Sequence, residues 1–289
     1  MRRNRGFTLA ELAVAFVIIA LLMAGALIPL STQIEVRNIG DTRRVMDQIK
    51  EALTGFAQVN GRLPCPANGA LTSSNSAAGT ELYDGTRCTA VIGVVPWVTL
   101  GVPETDAWNR RFTYRVASAF ADNPSTTVTY TTSTATNNPA PPATQTACTV
   151  SPTPSLASFA SCALGEIAVL TPSYSDHSVY AAVGTGLPAV FVSHGKNGFG
   201  AWQSSGVQLS VTAATNEAGN SSTGNTSLTT VQAPALPYTS NVFYSRELTA
   251  SASGCSDTSG TLFCEYDDIV YMISTPTLVS RMVSAGRFP

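Results

Sequence analysis

The chain has 289 residues, 44% of them hydrophobic and 12% charged, which is enough apolar material for a core and excludes global disorder. Sixteen Lys and Arg against 18 Asp and Glu leave a net charge of −2, and Lys50 and Lys196 are its lysines. That balance excludes a protein that coats nucleic acid, and no nucleic-acid partner is expected. Ser, Thr and Ala, with 22 Gly and 17 Pro, fill much of the remainder, as in a surface or secreted protein rich in loops. Charge is unevenly placed: removing Arg2, Arg3 and Arg5 would take −2 to −5.

Phe7 to Leu30 reads FTLAELAVAFVIIALLMAGALIPL, 24 residues with one charge, Glu11. As a helix it is about 36 Å long, enough to cross an apolar layer of roughly 30 Å. The three leading arginines would hold its start on the cytoplasmic side. Ala24-Gly25-Ala26 also satisfies the small-x-small rule of a cleaved secretory signal. Such a signal has no use for Glu11, because a carboxylate in an apolar helix is costly and usually has a partner.

Gly6-Phe7-Thr8-Leu9-Ala10-Glu11, behind a basic leader and ahead of an unbroken apolar helix, resembles the cleavage and methylation motif of the type IV pilin-like and type II secretion pseudopilin family. The resemblance implies that prepilin peptidase cuts between Gly6 and Phe7, removes the leader 1–6 and N-methylates Phe7. The apolar segment 7–30 then stays on the subunit. Phe7 and Glu11 are implied to serve filament assembly, Glu11 by pairing with the N-terminal ammonium of a neighbouring subunit, so that two charges costly in an apolar core neutralise each other. Partners implied are other pilin or pseudopilin subunits, an inner-membrane assembly platform with its ATPase, and inner-membrane lipid. The implied location is single-pass in the inner membrane with a periplasmic head, then a periplasmic or extracellular filament.

Beyond Leu30, Ile39, Met46, Ile49, Leu53 and Phe56 recur at steps of 7, 3, 4 and 3. The spacing predicts an amphipathic helix over 31–60, ended by Asn60-Gly61 with Pro64 and Pro66 beyond. The head, 61–289, is predicted to be an antiparallel sheet, with its clearest strand at Arg111 to Val116. Further strands are expected at Ala90–Val95, Glu166–Leu170, Ala189–Ser193, Val207–Val211, Val242–Leu248 and Asp268–Ser274. A short last helix is expected from a Thr275 cap, Pro276 at its first position, to Gly286. The class is therefore α+β: a long N-terminal helix, membrane-spanning then amphipathic, packed on an antiparallel head. Thr/Ser-rich stretches at 119–160 and 204–240 are expected as loops outside the core.

Cys65, Cys88, Cys148, Cys162, Cys255 and Cys264 lack Cys-x-x-Cys spacing and suggest disulfides in an oxidising compartment. Pairing neighbours is one of about 15 arrangements. A hydrolase would need Asp176-His177-Ser178 or Ser193-His194, and with no Gly-x-Ser-x-Gly present no enzyme is expected. Asp106-Ala107-Trp108-Asn109-Arg110-Arg111-Phe112-Thr113-Tyr114 and Ser193-His194-Gly195-Lys196-Asn197-Gly198 are similar to two segments of the major pseudopilin of type II secretion, with Ala107, Asn109 and Asn197 departing from its pattern. The second segment implies calcium, with Asn197, Asp257, Asp267 and Asp268 as candidate ligands. The size of the head points to a minor or specialised member, and a tip subunit that binds a surface or a secreted protein is the alternative.

Overall fold

The computed structural model describes residues 8–122, 128–131, 147–150, 157, 159, 163, 165–177, 179–210, 216–221, 241–257, 259 and 262–288, with backbone alone for 22–32, 128–131 and 147–150. Gly6, Phe7 and Cys162 lie outside the described residues. The chain divides into two compact units, Met1–Asp41 and Thr42–Pro289.

Helix α1 (Leu9–Asn60) has 52 residues and ends where the sequence predicts, before Gly61, whose φ of 75° suits a residue without Cβ. In the first unit its apolar residues are exposed, Leu9 at 88%, Phe16 at 62% and Leu21 at 68%. Among the described residues no helix is long and apolar enough to cross a membrane, and the expected span 7–30 is described with side chains only up to residue 21.

In the second unit, Met46, Ile49, Leu53 and Ala57 are fully buried. The stripe predicted for 31–60 holds at Met46, Ile49 and Leu53, while Phe56 is half-buried and Ala57 is sealed instead. Removing each large apolar side chain from water contributes roughly 1.5–3 kcal/mol.

Four strands form the main sheet in the order β1 (Ile92–Val94), β3 (Thr113–Val116), β8 (Ala189–Ser193) and β11 (Ile269–Ile273), antiparallel throughout. A second sheet has β6 (Ile167–Pro172) between β10 (Asn241–Tyr244) and β7 (Tyr180–Leu187). Its β10–β6 pair is parallel, which corrects the wholly antiparallel expectation: the long connection from β6 to β10 returns the chain in the same direction. Two ribbons complete the strands, β2 (Arg110–Arg111) with β9 (Trp202–Gln203) and β4 (Val128–Thr131) with β5 (Ala147–Val150). Short helices are α2 (Trp97–Leu100), α3 (Ser118–Ala121) and α4 (Asn216–Asn220), and α5 (Thr275–Ser284) follows β11.

Several expectations change in detail. All four residues of β3 are buried, because a central strand is covered on both faces rather than one. Gln208 forms an isolated bridge to Trp202 and 207–210 form no strand, since Gly206 turns the chain there at φ 78°, and Val211 lies outside the described residues. Strand β7 is missed by periodicity because its Ala and Gly residues carry no alternating pattern. A Cβ at its Gly184 would lie 2.9 Å from Met272 Sδ of β11, which would have to shift. The cap of α5 is Ser274, not Thr275: Ser274 is extended and its Oγ accepts from Thr277 N–H, while Thr275 is already helical. The Thr/Ser-rich stretch 119–160 does reach the core at its ends, where Phe120 is 0% and Phe159 2% exposed with ring centroids 4.8 Å apart.

Cys65 pairs with Cys88 and Cys255 with Cys264. The first bridge sits beside a buried ion pair, Arg62 Nη1 to Glu81 Oε2 at 2.8 Å, with Cys65 N–H donating to the same carboxylate at 3.0 Å. Cys148 is described by its backbone alone and Cys162 lies outside the described residues.

Candidate functional site

Two places concentrate chemistry, the start of α1 and a cluster of acids in the head. At the start of α1, Thr8 N–H and Thr8 Oγ1 both donate to Glu11 Oε2 at 2.9 Å, and Glu11 N–H donates back to Thr8 Oγ1 at 3.3 Å. This is a capping box, which satisfies amides that a helix start otherwise leaves unpaired. The lone carboxylate of the apolar segment thus has a local role in the uncut chain.

In the head, the two motif segments noted in the sequence meet. Asp106, 5% exposed, accepts from Trp108 N–H at 2.9 Å and Arg110 N–H at 3.0 Å through Oδ1, and from Ser193 Oγ at 2.7 Å through Oδ2. Burial pushes its carboxyl up, and these hydrogen bonds pull against that. Asn109 has a φ of 62°, a conformation in which Asn is the usual substitute for Gly, so its departure from the pseudopilin pattern preserves the turn.

Strand β8 delivers His194 and the loop after it to the start of β11. There Glu217, Asp267 and Asp268 bring one carboxylate oxygen each to within 4.8 Å of one another. Asn197 N–H donates to Asp267 Oδ2 at 2.8 Å, and Asn197 Nδ2 donates to both Glu217 oxygens at 3.1 and 3.0 Å. Asp267 N–H donates to Glu217 Oε1 at 2.7 Å, and Asn220 Nδ2 to Asp268 Oδ2 at 2.8 Å. Burial, and then the charge of Asp268, push the Glu217 carboxyl well above the carboxylate range. Burial likewise raises Asp267, against the hydrogen bond from Asn197. Asp268 is 3% exposed, yet its Oδ1, like Asp267 Oδ1, has no hydrogen-bond partner.

Three acids gathered this closely, Asp267 and Asp268 each with one buried oxygen that lacks a hydrogen-bond partner, are costly alone. The donor set is all oxygen and anionic, which fits a hard divalent cation such as calcium with water completing its shell. Of the residues suggested by sequence, Asp267 and Asp268 are in the cluster. Asn197 supports it as a donor, its own Oδ1 being taken by Phe199 N–H at 3.0 Å. Asp257 is elsewhere, with Oδ2 accepting from Asn216 N–H at 2.7 Å and Oδ1 from Cys264 N–H at 3.0 Å and Arg246 Nη2 at 3.2 Å. Glu217 escaped notice in the Thr/Ser-rich stretch. The available signal was that it is the sole charged residue between 204 and 240.

Both histidines are buried, His177 at 1% and His194 at 0% exposure. His194 Nε2 lies 2.7 Å from Thr113 Oγ1 and Nδ1 3.4 Å from Asp268 Oδ1, a hydroxyl–imidazole–carboxylate order. Thr113 and His194 are 0% exposed, so the hydroxyl is sealed from substrate. His177 stacks on Phe263 at 3.6 Å with Nδ1 2.7 Å from Ser256 O. Ser193 Oγ faces Asp106, not a histidine.

Residues 1–27 match the family model of the prokaryotic N-terminal methylation motif. The chain carries a prepilin signal. No curated protein and no solved structure matches the chain. The matched residues include Gly6, Phe7 and the Thr8–Glu11 capping box.

Proposed function

We propose that the protein is a pilin-like structural subunit, cut by prepilin peptidase after Gly6, N-methylated at Phe7 and assembled with its own kind through α1. The observation that carries this reading is the prepilin signal over residues 1–27. Exposed apolar residues from Leu9 to Leu21 support it, since such a surface requires lipid or neighbouring helices. Before assembly the segment 7–30 crosses the inner membrane with the head in the periplasm. The assembly platform and its ATPase then move the subunit into a filament, where Glu11 exchanges its contacts with Thr8 for the ammonium of an adjacent Phe7. The acid cluster of the head holds a calcium ion, which neutralises Glu217, Asp267 and Asp268.

Mass spectrometry of the mature protein tests the reading. The expected start is N-methylated Phe7, and a start at Leu27 or an intact Met1 would overturn it. A low-copy tip subunit is the second reading, favoured by the long Thr/Ser-rich stretches of the head. Copy number per filament separates the two.

A further inference from the structure

We infer that Asp257 and the Cys255–Cys264 disulfide form a positioning unit for the acid cluster, so that closing this bridge and binding a divalent cation strengthen each other. The inference rests on the calcium reading above and extends it to residues that do not touch the ion.

Glu217 stands on α4, a helix of five residues, far too short to hold its shape alone. It is fixed at both ends. At its start, Asn216 N–H donates to Asp257 Oδ2 at 2.7 Å. At its end, Asn220 is clamped: its Oδ1 accepts from Tyr244 N–H at 2.7 Å, and its Nδ2 donates to Tyr244 O at 3.0 Å and to Asp268 Oδ2 at 2.8 Å. The second clamp belongs to the cluster and to β10. The first depends wholly on where Asp257 is held.

Asp257, 1% exposed, lies inside the loop that Cys255 and Cys264 close across nine positions. Its Oδ1 accepts from Cys264 N–H at 3.0 Å, so the bridged residue itself orients the carboxylate. Arg246 secures the same point. It donates to Asp257 at 3.2 Å and to Cys264 O at 2.9 Å, and its guanidinium lies 4.6 Å from the Phe263 and Tyr266 ring centroids. Three residues after Cys264 the chain reaches Asp267 and Asp268. The disulfide therefore controls both sides of the cluster, the α4 side through Asp257 and the β11 side through the chain. Asp268 Oδ1 is buried without a hydrogen-bond partner, its nearest polar neighbour being His194 Nδ1 at 3.4 Å, so it keeps acceptor capacity that a cation could use.

With both oxygens of Asp257 occupied by Asn216, Cys264 and Arg246, it is a positioning residue and not a ligand. Opening the bridge loosens the hold of Cys264 on Asp257, which weakens the anchor at the start of α4 and with it the placement of Glu217. Linkage makes the effect reciprocal: the factor by which the bridge tightens calcium binding is the factor by which calcium favours the bridge. The Cys65–Cys88 bridge is an internal control, since its neighbours are Glu81 and Asp122 rather than the cluster.

The test uses the full chain in detergent micelles and calcium chloride as the probe. Calorimetry should show calcium binding to the oxidised chain and at least about tenfold weaker binding to Asp257→Ala, the usual scale for loss of an outer-shell partner. Asp257→Asn, which keeps an acceptor, should recover part of that loss. In a dithiothreitol buffer each reduction converts one disulfide to two thiols and one dithiothreitol to its cyclic disulfide. Alkylation and mass spectrometry then report each bridge, which works on the unmodified chain even where a variant fails to fold. Calcium should shift the reduction equilibrium of Cys255–Cys264 by the factor that separates calcium binding to the oxidised and the reduced bridge, and leave Cys65–Cys88 unchanged. Calcium binding that is undiminished in Asp257→Ala, or equal protection of the two bridges, overturns the coupling and leaves the calcium reading intact. Absence of calcium binding to the oxidised chain overturns both.

Discussion

The two halves of α1 are both apolar and differ in where those residues point. Met46, Ile49 and Leu53 are fully buried, on one stripe against the head, whereas Leu9, Phe16, Ile19 and Leu21 stand more than half exposed. A stripe can be satisfied by one surface, and the protein's own head supplies it. Apolar residues on every side cannot be, and need a surrounding apolar medium. Along one helix, the change from continuous to periodic hydrophobicity marks the change from exposed to buried apolar residues.

Charge insertion should separate the halves most sharply. Ile49→Asp buries an unpaired carboxylate and should unfold the head, an effect above about 4 kcal/mol, seen as loss of its thermal transition. Ile19→Asp should leave that transition in place and oppose membrane insertion by about 2.5–3.5 kcal/mol, read as the fraction inserted in microsomes. Equal behaviour of the two variants would remove the distinction. Truncation should sharpen it: Leu53→Ala should cost about 2–5 kcal/mol of head stability in a denaturant titration, against less than about 0.5 kcal/mol for Leu21→Ala.

Glu11→Ala removes the capping box and, on the proposed function, the partner of the incoming ammonium. The box itself should account for roughly 1 kcal/mol of local helix stability, checked by hydrogen exchange over the first turn. Cleavage after Gly6 should persist and filament incorporation should fall. Normal incorporation would leave Glu11 with its capping role alone.

The smallest effect concerns Asp106. Its carboxyl is raised in the folded state by burial, so the folded chain binds more protons than the unfolded one between the ordinary Asp value and the raised value. Stability contributed by the protonated form is present below that window and declines as pH rises through it. Asp106→Asn should flatten this part of the stability–pH curve in thermal melts, while losing part of the acceptor strength toward Ser193 and Arg110. An unchanged slope would show that Asp106 does not set it.

What the sequence reveals is what acts over a few residues. The prepilin signal, the stop at Asn60-Gly61, the strands around Thr113–Val116, Ala189–Ser193 and Ile269–Ile273, and the final helix all follow from spacing, caps and breakers, which are local. Even the misassigned cap at Thr275 was off by one residue, because Ser274 and Thr275 offer the same hydroxyl and only backbone conformation chooses between them. Strand β7 fell outside that reach, since its Ala and Gly residues are extended only because β6 pairs with them. The acid cluster shows the limit most clearly. Asp267 and Asp268 could be suspected from their type, but Glu217 stands 50 positions from Asp267 and is brought there by the clamp on Asn220 and the anchor at Asp257. Asp257, equally acidic and closer along the chain, is turned away by Arg246 and Cys264. Residue type proposes ligands, and the strand order and cross-chain hydrogen bonds, which join segments far apart in sequence, decide which oxygens can share one ion.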